Sequence, residues 1–166
     1  MRVEDLRQLW RYTEWADRRT LEAARKLPLE AYQRDLGTSL RSVGATLAHI
    51  CAVEWLWGER LRGRSPSSYA HLAGLSRPEE LARAWEEVWS DLGAALATAD
   101  DAQLAAPLTY RTTEGETYTQ PAWQVALHIS HHSAYHRGQV AAMLRQLGAE
   151  PLPTDLVVYF RSGEAG

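Results

Sequence analysis

Cysteine is almost missing from this chain. Cys51 stands alone, so no internal disulfide can form and nothing demands an oxidising compartment. Asparagine is absent altogether, and Lys26 is the only lysine among 18 Lys and Arg residues. Neither sign of charge gathers into a block: the net charge is −3, with acidic and basic side chains interleaved, which speaks against a phosphate-tracking nucleic-acid surface. Long apolar runs are lacking too. Charges interrupt every apolar stretch of the opening MRVEDLRQLWRYTEWADRRT, leaving neither the apolar centre of a secretory signal nor the roughly 20 apolar residues that span a bilayer. There is no Gly-rich phosphate loop, internal repeat or low-complexity tract. The expectation is a cytoplasmic protein without membrane or nucleic-acid partners.

What is present is helical periodicity. Apolar residues recur at three- and four-residue steps from about Val3 to Leu27, where Pro28 stops the pattern, and again from about Ser42 to Gly63. Ser76-Arg77-Pro78-Glu79 supplies a capping serine, a proline fit for the first turn and an acid three residues on, so a third helix is predicted from there to about Ala99. Pro121 opens a fourth, which runs to Leu147 and meets Gly148. LTYRTTEGETYT, residues 108–119, alternates around Glu114-Gly115 and suggests a short hairpin. The tail GAEPLPTDLVVYF is expected to lie across the end of the assembly. Four amphipathic helices without a βαβ rhythm predict an all-α four-helix bundle, a single domain over residues 1–166, in which the long second connection permits a crossover.

The chemical signal is histidine. Four of the six histidines fall within HISHHSAYH, residues 128–136. His128, His132 and His136 are spaced by four and share one helix face, whereas His131 lies about 100° away from His132. His128 and His136 are about 12 Å apart along the axis, too far for one ion with metal–nitrogen distances near 2.1 Å. Only an adjacent pair can chelate, and a third ligand must come from elsewhere. His49, inside Thr46-Leu47-Ala48-His49-Ile50 on the second helix, has a better context than His71 in a loop. Which adjacent pair serves is open from spacing alone.

His132-Ser133-Ala134-Tyr135-His136-Arg137-Gly138-Gln139-Val140, followed by Leu144-Arg145-Gln146-Leu147-Gly148, resembles the HxxxHRGQ signature and LRQLG continuation of the DinB/YfiT-like superfamily. Thr46–Ile50 with Glu54-Trp55-Leu56 is similar to that family's first-histidine helix, and Trp15-Ala16-Asp17 and Asp155 extend the likeness over nearly the whole chain. The resemblance implies a metal-binding four-helix bundle, usually a homodimer, with His49, His132 and His136 as ligands and His128 in support.

Three neutral imidazoles leave the charge of a divalent ion uncompensated and at least one coordination position open, as in catalytic sites. Zinc or nickel is expected, with iron, cobalt and manganese also compatible with imidazole. Glu54 or Gln139 could fix a ligand imidazole through its second nitrogen. Arg137 points away from the ion toward an interhelical or dimer ion pair, and Cys51 reads as a buried small apolar residue rather than a nucleophile. The seven tryptophans suggest core and interface. Because the family includes bacillithiol transferases and mycothiol-dependent isomerases, the resemblance implies a metal-dependent enzyme that activates a low-molecular-weight thiol toward a small electrophile. A metal-dependent hydrolase and a non-catalytic, stress-associated metal-binding protein are the competing readings.

Overall fold

The computed structural model describes residues 1–164. Four long helices, α1 (Val3–Ala24), α3 (Val43–Leu61), α5 (Pro78–Thr98) and α7 (Ala122–Gln146), carry the fold; α2 (Leu29–Gln33), α4 (Ala70–Ala73), α6 (Asp101–Ala105) and α8 (Leu156–Arg161) are short. Strands β1 (Pro107–Arg111) and β2 (Thr117–Pro121) form the expected hairpin, antiparallel with Tyr110 opposite Tyr118, and Gly115 turns it at φ 95°. The mainly helical bundle matches the sequence-based expectation.

Local chemistry sets the ends of the helices. Pro28 restricts the residue before it, and α1 stops at Ala24, three residues short of the periodic pattern. Ser42 caps α3, its Oγ accepting from Ala45 N at 3.1 Å. The helix predicted to be capped by Ser76 begins one residue later, with Pro78 at its first position and Arg77 as the cap, because proline's fixed φ and missing N–H suit that place. Helix α7 closes in a Schellman turn: Gly148 N donates to Arg145 O at 3.0 Å, Ala149 N to Leu144 O at 2.9 Å, and Gly148 takes φ 76°.

Side-chain pairs give the topology. Thr13 meets Ser130 and Asp17 meets Arg137, so α1 and α7 run parallel. His49 meets His132 and Trp57 meets His128, so α3 and α7 are antiparallel. Glu54 meets Trp85 and Gly58 abuts Leu92, making α3 and α5 parallel, whereas Arg7 reaches Leu96 and Arg18 reaches Glu86, making α1 and α5 antiparallel. The order is up-down-down-up, with α1 and α3 on one diagonal and α5 and α7 on the other. The long second connection is indeed a crossover, returning the chain to the end where α3 began. There α2 covers α3 so closely that a β-carbon on Gly44 would lie 2.4 Å from the Tyr32 ring.

The core runs between the four helices, from Leu21, Leu47 and Leu144 at one end toward Leu92 at the other. The tail lies along the flank of α1 instead of the bundle's end. Tyr159 is buried against Tyr12 and Trp15, and Tyr12 donates to Thr154 O at 2.9 Å. No tryptophan is exposed: Trp10, Trp15, Trp85 and Trp89 are buried, and Trp55, Trp57 and Trp123 half-buried. Four of the seven tryptophans are therefore core residues. Among the described residues, no helix is long and apolar enough to cross a membrane.

Candidate metal centre

Because α3 and α7 run antiparallel in contact, His49 faces the pair His132 and His136. Spacing by four puts those two a little over one turn apart on the same side of α7. The ring centroids lie 5.0 Å (His49–His132), 4.7 Å (His49–His136) and 4.4 Å (His132–His136) apart. Nε2 of His49 and Nε2 of His132 are 3.1 Å apart, and one nitrogen from each of the three residues falls within 4.8 Å of the others. Two nitrogens each about 2.1 Å from a shared ion sit roughly 3 to 3.4 Å apart, so this donor set can hold one.

The electrostatics favour neutral ligands. Burial, then the nearby His136, His49 and His128, lowers the His132 pKa to about 3. Burial and His136 lower that of His49. At neutral pH both rings therefore keep a free lone pair. Nδ1 of His136 lies 2.8 Å from Oε1 of Gln139; since that oxygen only accepts, Nδ1 carries the proton and Nε2 is left to bind. Of the two acceptors suggested by the sequence, Gln139 is in place. Nδ1 of His132 is buried with no hydrogen-bond partner among the described residues.

The other histidines stand apart. His128 is exposed, edge-on to Trp57 at 5.0 Å and 5.8 Å from His132, outside the converging set. His131 faces solvent, and His71 stands edge-on to Trp55 at 4.6 Å. Glu54 makes no hydrogen bond to a histidine among the described residues. It is fully buried, accepting from Trp85 Nε1 and Ser133 Oγ, both at 2.6 Å. Beside it Asp17 accepts from Arg137 Nη1 at 2.8 Å, and Arg137 Nη2 donates to Tyr12 Oη at 3.2 Å. Burial and the neighbouring Asp17 hold the Glu54 carboxyl well above the usual carboxylate range, so it keeps its proton. Arg137 thus makes the expected interhelical ion pair. Its partner Asp17 lay inside a quoted motif, but nothing in the spacing marked it as buried. Cys51 is fully buried and burial pushes its thiol up, as fits an inert apolar residue.

A cleft of about 500 Å³ opens beside His132 and His128, walled by Trp57, Arg60, Tyr110 and Tyr118. Two larger clefts, about 650 and 680 Å³, contain no histidine. The hairpin, which sequence reading left without a role, forms one wall of the cleft at the histidines.

The sequence matches the DinB family over residues 1–165. The chain belongs to the DinB family. Protein DinB of Bacillus subtilis (strain 168) is 27% identical to this DinB-family chain over 158 residues, 92% of this chain and 91% of that protein. The crystal structure of a DinB-like protein from Bacillus cereus ATCC 10987 is similar in fold, with a TM-score of 0.73, covering 92% of this chain and 97% of that one at 17% identity. Within the DinB fold of this chain, three histidines stand close enough together to bind a metal.

Proposed function

We propose that His49, His132 and His136 hold one divalent transition ion, zinc or nickel, and that the protein is a metal-dependent enzyme using a small thiol of the bacillithiol type. The observation that carries this reading is the convergence of three imidazoles, one of which, His132, lines an open cleft through which a ligand would approach. A bound ion would supply the Lewis acidity that lets a thiol ionise at neutral pH. The protein's own contribution is to keep His49 and His132 neutral by burial, to orient His136 through Gln139, and to hold the thiol and its electrophile between Trp57 and the hairpin. In the reaction the thiol proton leaves to solvent, the sulfur lone pair forms the new S–C bond, and the electrophile's leaving group departs with the displaced electron pair.

Cobalt-substituted protein titrated with bacillithiol, glutathione or a simpler thiol should develop a sulfur-to-metal charge-transfer band, and turnover of a thiol-reactive electrophile should be lost in His136→Ala. If no thiol perturbs the cobalt spectrum and turnover survives that substitution, the thiol reading is wrong. A rate that needs only metal and water would turn the assignment to hydrolysis. The same reading includes a homodimer, supported by the family resemblance and by the exposed Val157 and Phe160 on α8, and a monomer at all concentrations in sedimentation would overturn it.

A further inference from the structure

Helix α3 ends in a group of arginines that are not treated alike. Arg62 and Arg64 both reach Glu59, at 2.6 Å and 2.5 Å. Arg60 is only 4% exposed, yet it has no carboxylate partner among the described residues. Its guanidinium carbon lies 4.2 Å from the centroid of the Trp57 ring and 4.9 Å from that of Tyr110, two rings that meet at 78° and form a corner. Among the described residues its one hydrogen bond, from Nη2 to Arg111 O, is long at 3.4 Å, and its buried Nε has no partner. The C-terminal end of α3 and the two rings stabilise a cation there, but they leave most of the five N–H groups unused. The side chain lines the same cleft as His132. A buried guanidinium with idle donors at the wall of a cleft is suited to an incoming anion, and its planar fork to a carboxylate.

We propose that Arg60 anchors a carboxylate at the far end of a ligand whose reactive end reaches the three histidines. Combined with the thiol reading above, on which this part rests, the substrate is an elongated thiol bearing a carboxylate. His49 and Arg60 are eleven residues apart on α3, about 16 Å along the axis at ~1.5 Å per residue, so a compact anion cannot serve both ends. The group that opposes the anion is Glu114 in the hairpin turn, which also lines the cleft.

The test uses cobalt-loaded protein and a series of straight-chain mercaptocarboxylic acids of increasing length, each against its primary amide, with Kd read from the visible spectrum. Wild type is expected to prefer the acid about tenfold at an intermediate length, since the pairs differ only in the charged group. Arg60→Gln should abolish that preference while leaving the amide's Kd unchanged. Glu114→Gln, in an exposed turn with little bearing on folding, should strengthen it about two- to threefold by removing the opposing charge. No preference at any length in wild type, or a preference that survives Arg60→Gln, overturns the proposal while leaving thiol binding intact. If no thiol alters the spectrum, the thiol reading fails and Arg60 is tested separately. The Arg60 Nε–H resonance, assigned by its loss in Arg60→Gln, is then followed during titration with the corresponding alkanoic acids and amides. A saturable shift with the acids alone supports the anchor, and no shift overturns it.

Discussion

On α7 the residues His132 and Ser133, and again His136 and Arg137, are sequence neighbours, yet each pair divides between two polar clusters. Successive side chains leave the helix about 100° apart, so the histidines look toward α3 and the cleft while Ser133 and Arg137 enter the sealed interior with Asp17 and Glu54. The sealed layer is organised for stability: Arg137 has its counter-ion, and burial beside Asp17 holds Glu54 neutral although it accepts from Trp85 and Ser133. The histidine cluster is half-buried and incompletely satisfied, with facing nitrogens 3.1 Å apart and an orphaned Nδ1. Each cluster holds one buried atom without a hydrogen-bond partner among the described residues, Oδ2 of Asp17 and Nδ1 of His132. The contrast therefore lies in access: the first cluster is shut from solvent, and the second lies beside a cleft.

The strongest way to break the contrast is to remove a charge from the sealed layer. Asp17→Ala strands Arg137, which is 3% exposed, and should cost about 3–5 kcal/mol in urea denaturation. A cost under about 1 kcal/mol would mean that Arg137 finds another partner or water, and the layer would no longer count as closed. In the open cluster the readout differs. His49→Ala, His132→Ala and His136→Ala should each strip most of the metal from tag-free protein, whereas His71→Ala and His131→Ala should keep it. Full occupancy in His49→Ala would remove that residue from the ligand set.

Acid should distinguish the clusters further. Since the folded His132 pKa is lowered from 6.5 to about 3, the unfolded chain binds the extra proton across that window, and the metal-free protein should lose stability as pH falls from about 6.5 toward about 3. The lowered pKa of His49 acts in the same direction. His132→Gln should flatten the slope of unfolding free energy against pH, and an unchanged slope would mean that the ring titrates normally. The smallest effect is expected at Glu54. Its raised pKa makes the unfolded chain the stronger acid, so its contribution declines as pH rises above the ordinary carboxyl range. Glu54→Gln keeps the shape and removes that decline, so it should gain on wild type as pH rises from the ordinary carboxyl range through neutrality. A large loss would show that Glu54 is ionised in the fold.

How far each region was legible follows from the range of the interactions that build it. The i, i+4 spacing of His132 and His136, and Gln139 three residues on, is fixed within one helix, so the face they share could be read directly. Which neighbour His132 takes depended on the family resemblance, and His49 was favoured over His71 only by its apolar context, because the meeting of two helices is set by packing register and not by spacing within either. For the same reason spacing does not decide between Glu54 and Gln139 as the acceptor, and Glu54 meets Trp85 and Ser133 instead, while Asp17 gives no sign of facing Arg137. Arg60 looked like any helix-end arginine; its isolation becomes visible only once Glu59 is seen to take Arg62 and Arg64. The hairpin was readable from its turn residues, but its position beside the histidines was not.

The up-down-down-up order also bears on how the protein is made. Helix α1 leaves the ribosome first, but its neighbours are α5 and α7, and Asp17 waits 120 residues for Arg137. Helix α3 follows with His49, which waits 83 residues for His132. Until α7 has been synthesised, the nascent chain carries amphipathic faces without cover, an unpaired aspartate destined for the interior and one third of the histidine set. Apolar faces left uncovered in this way expose a nascent chain to aggregation until the covering helix arrives. The protein therefore gains its charged layer and its histidine cluster together, late in translation.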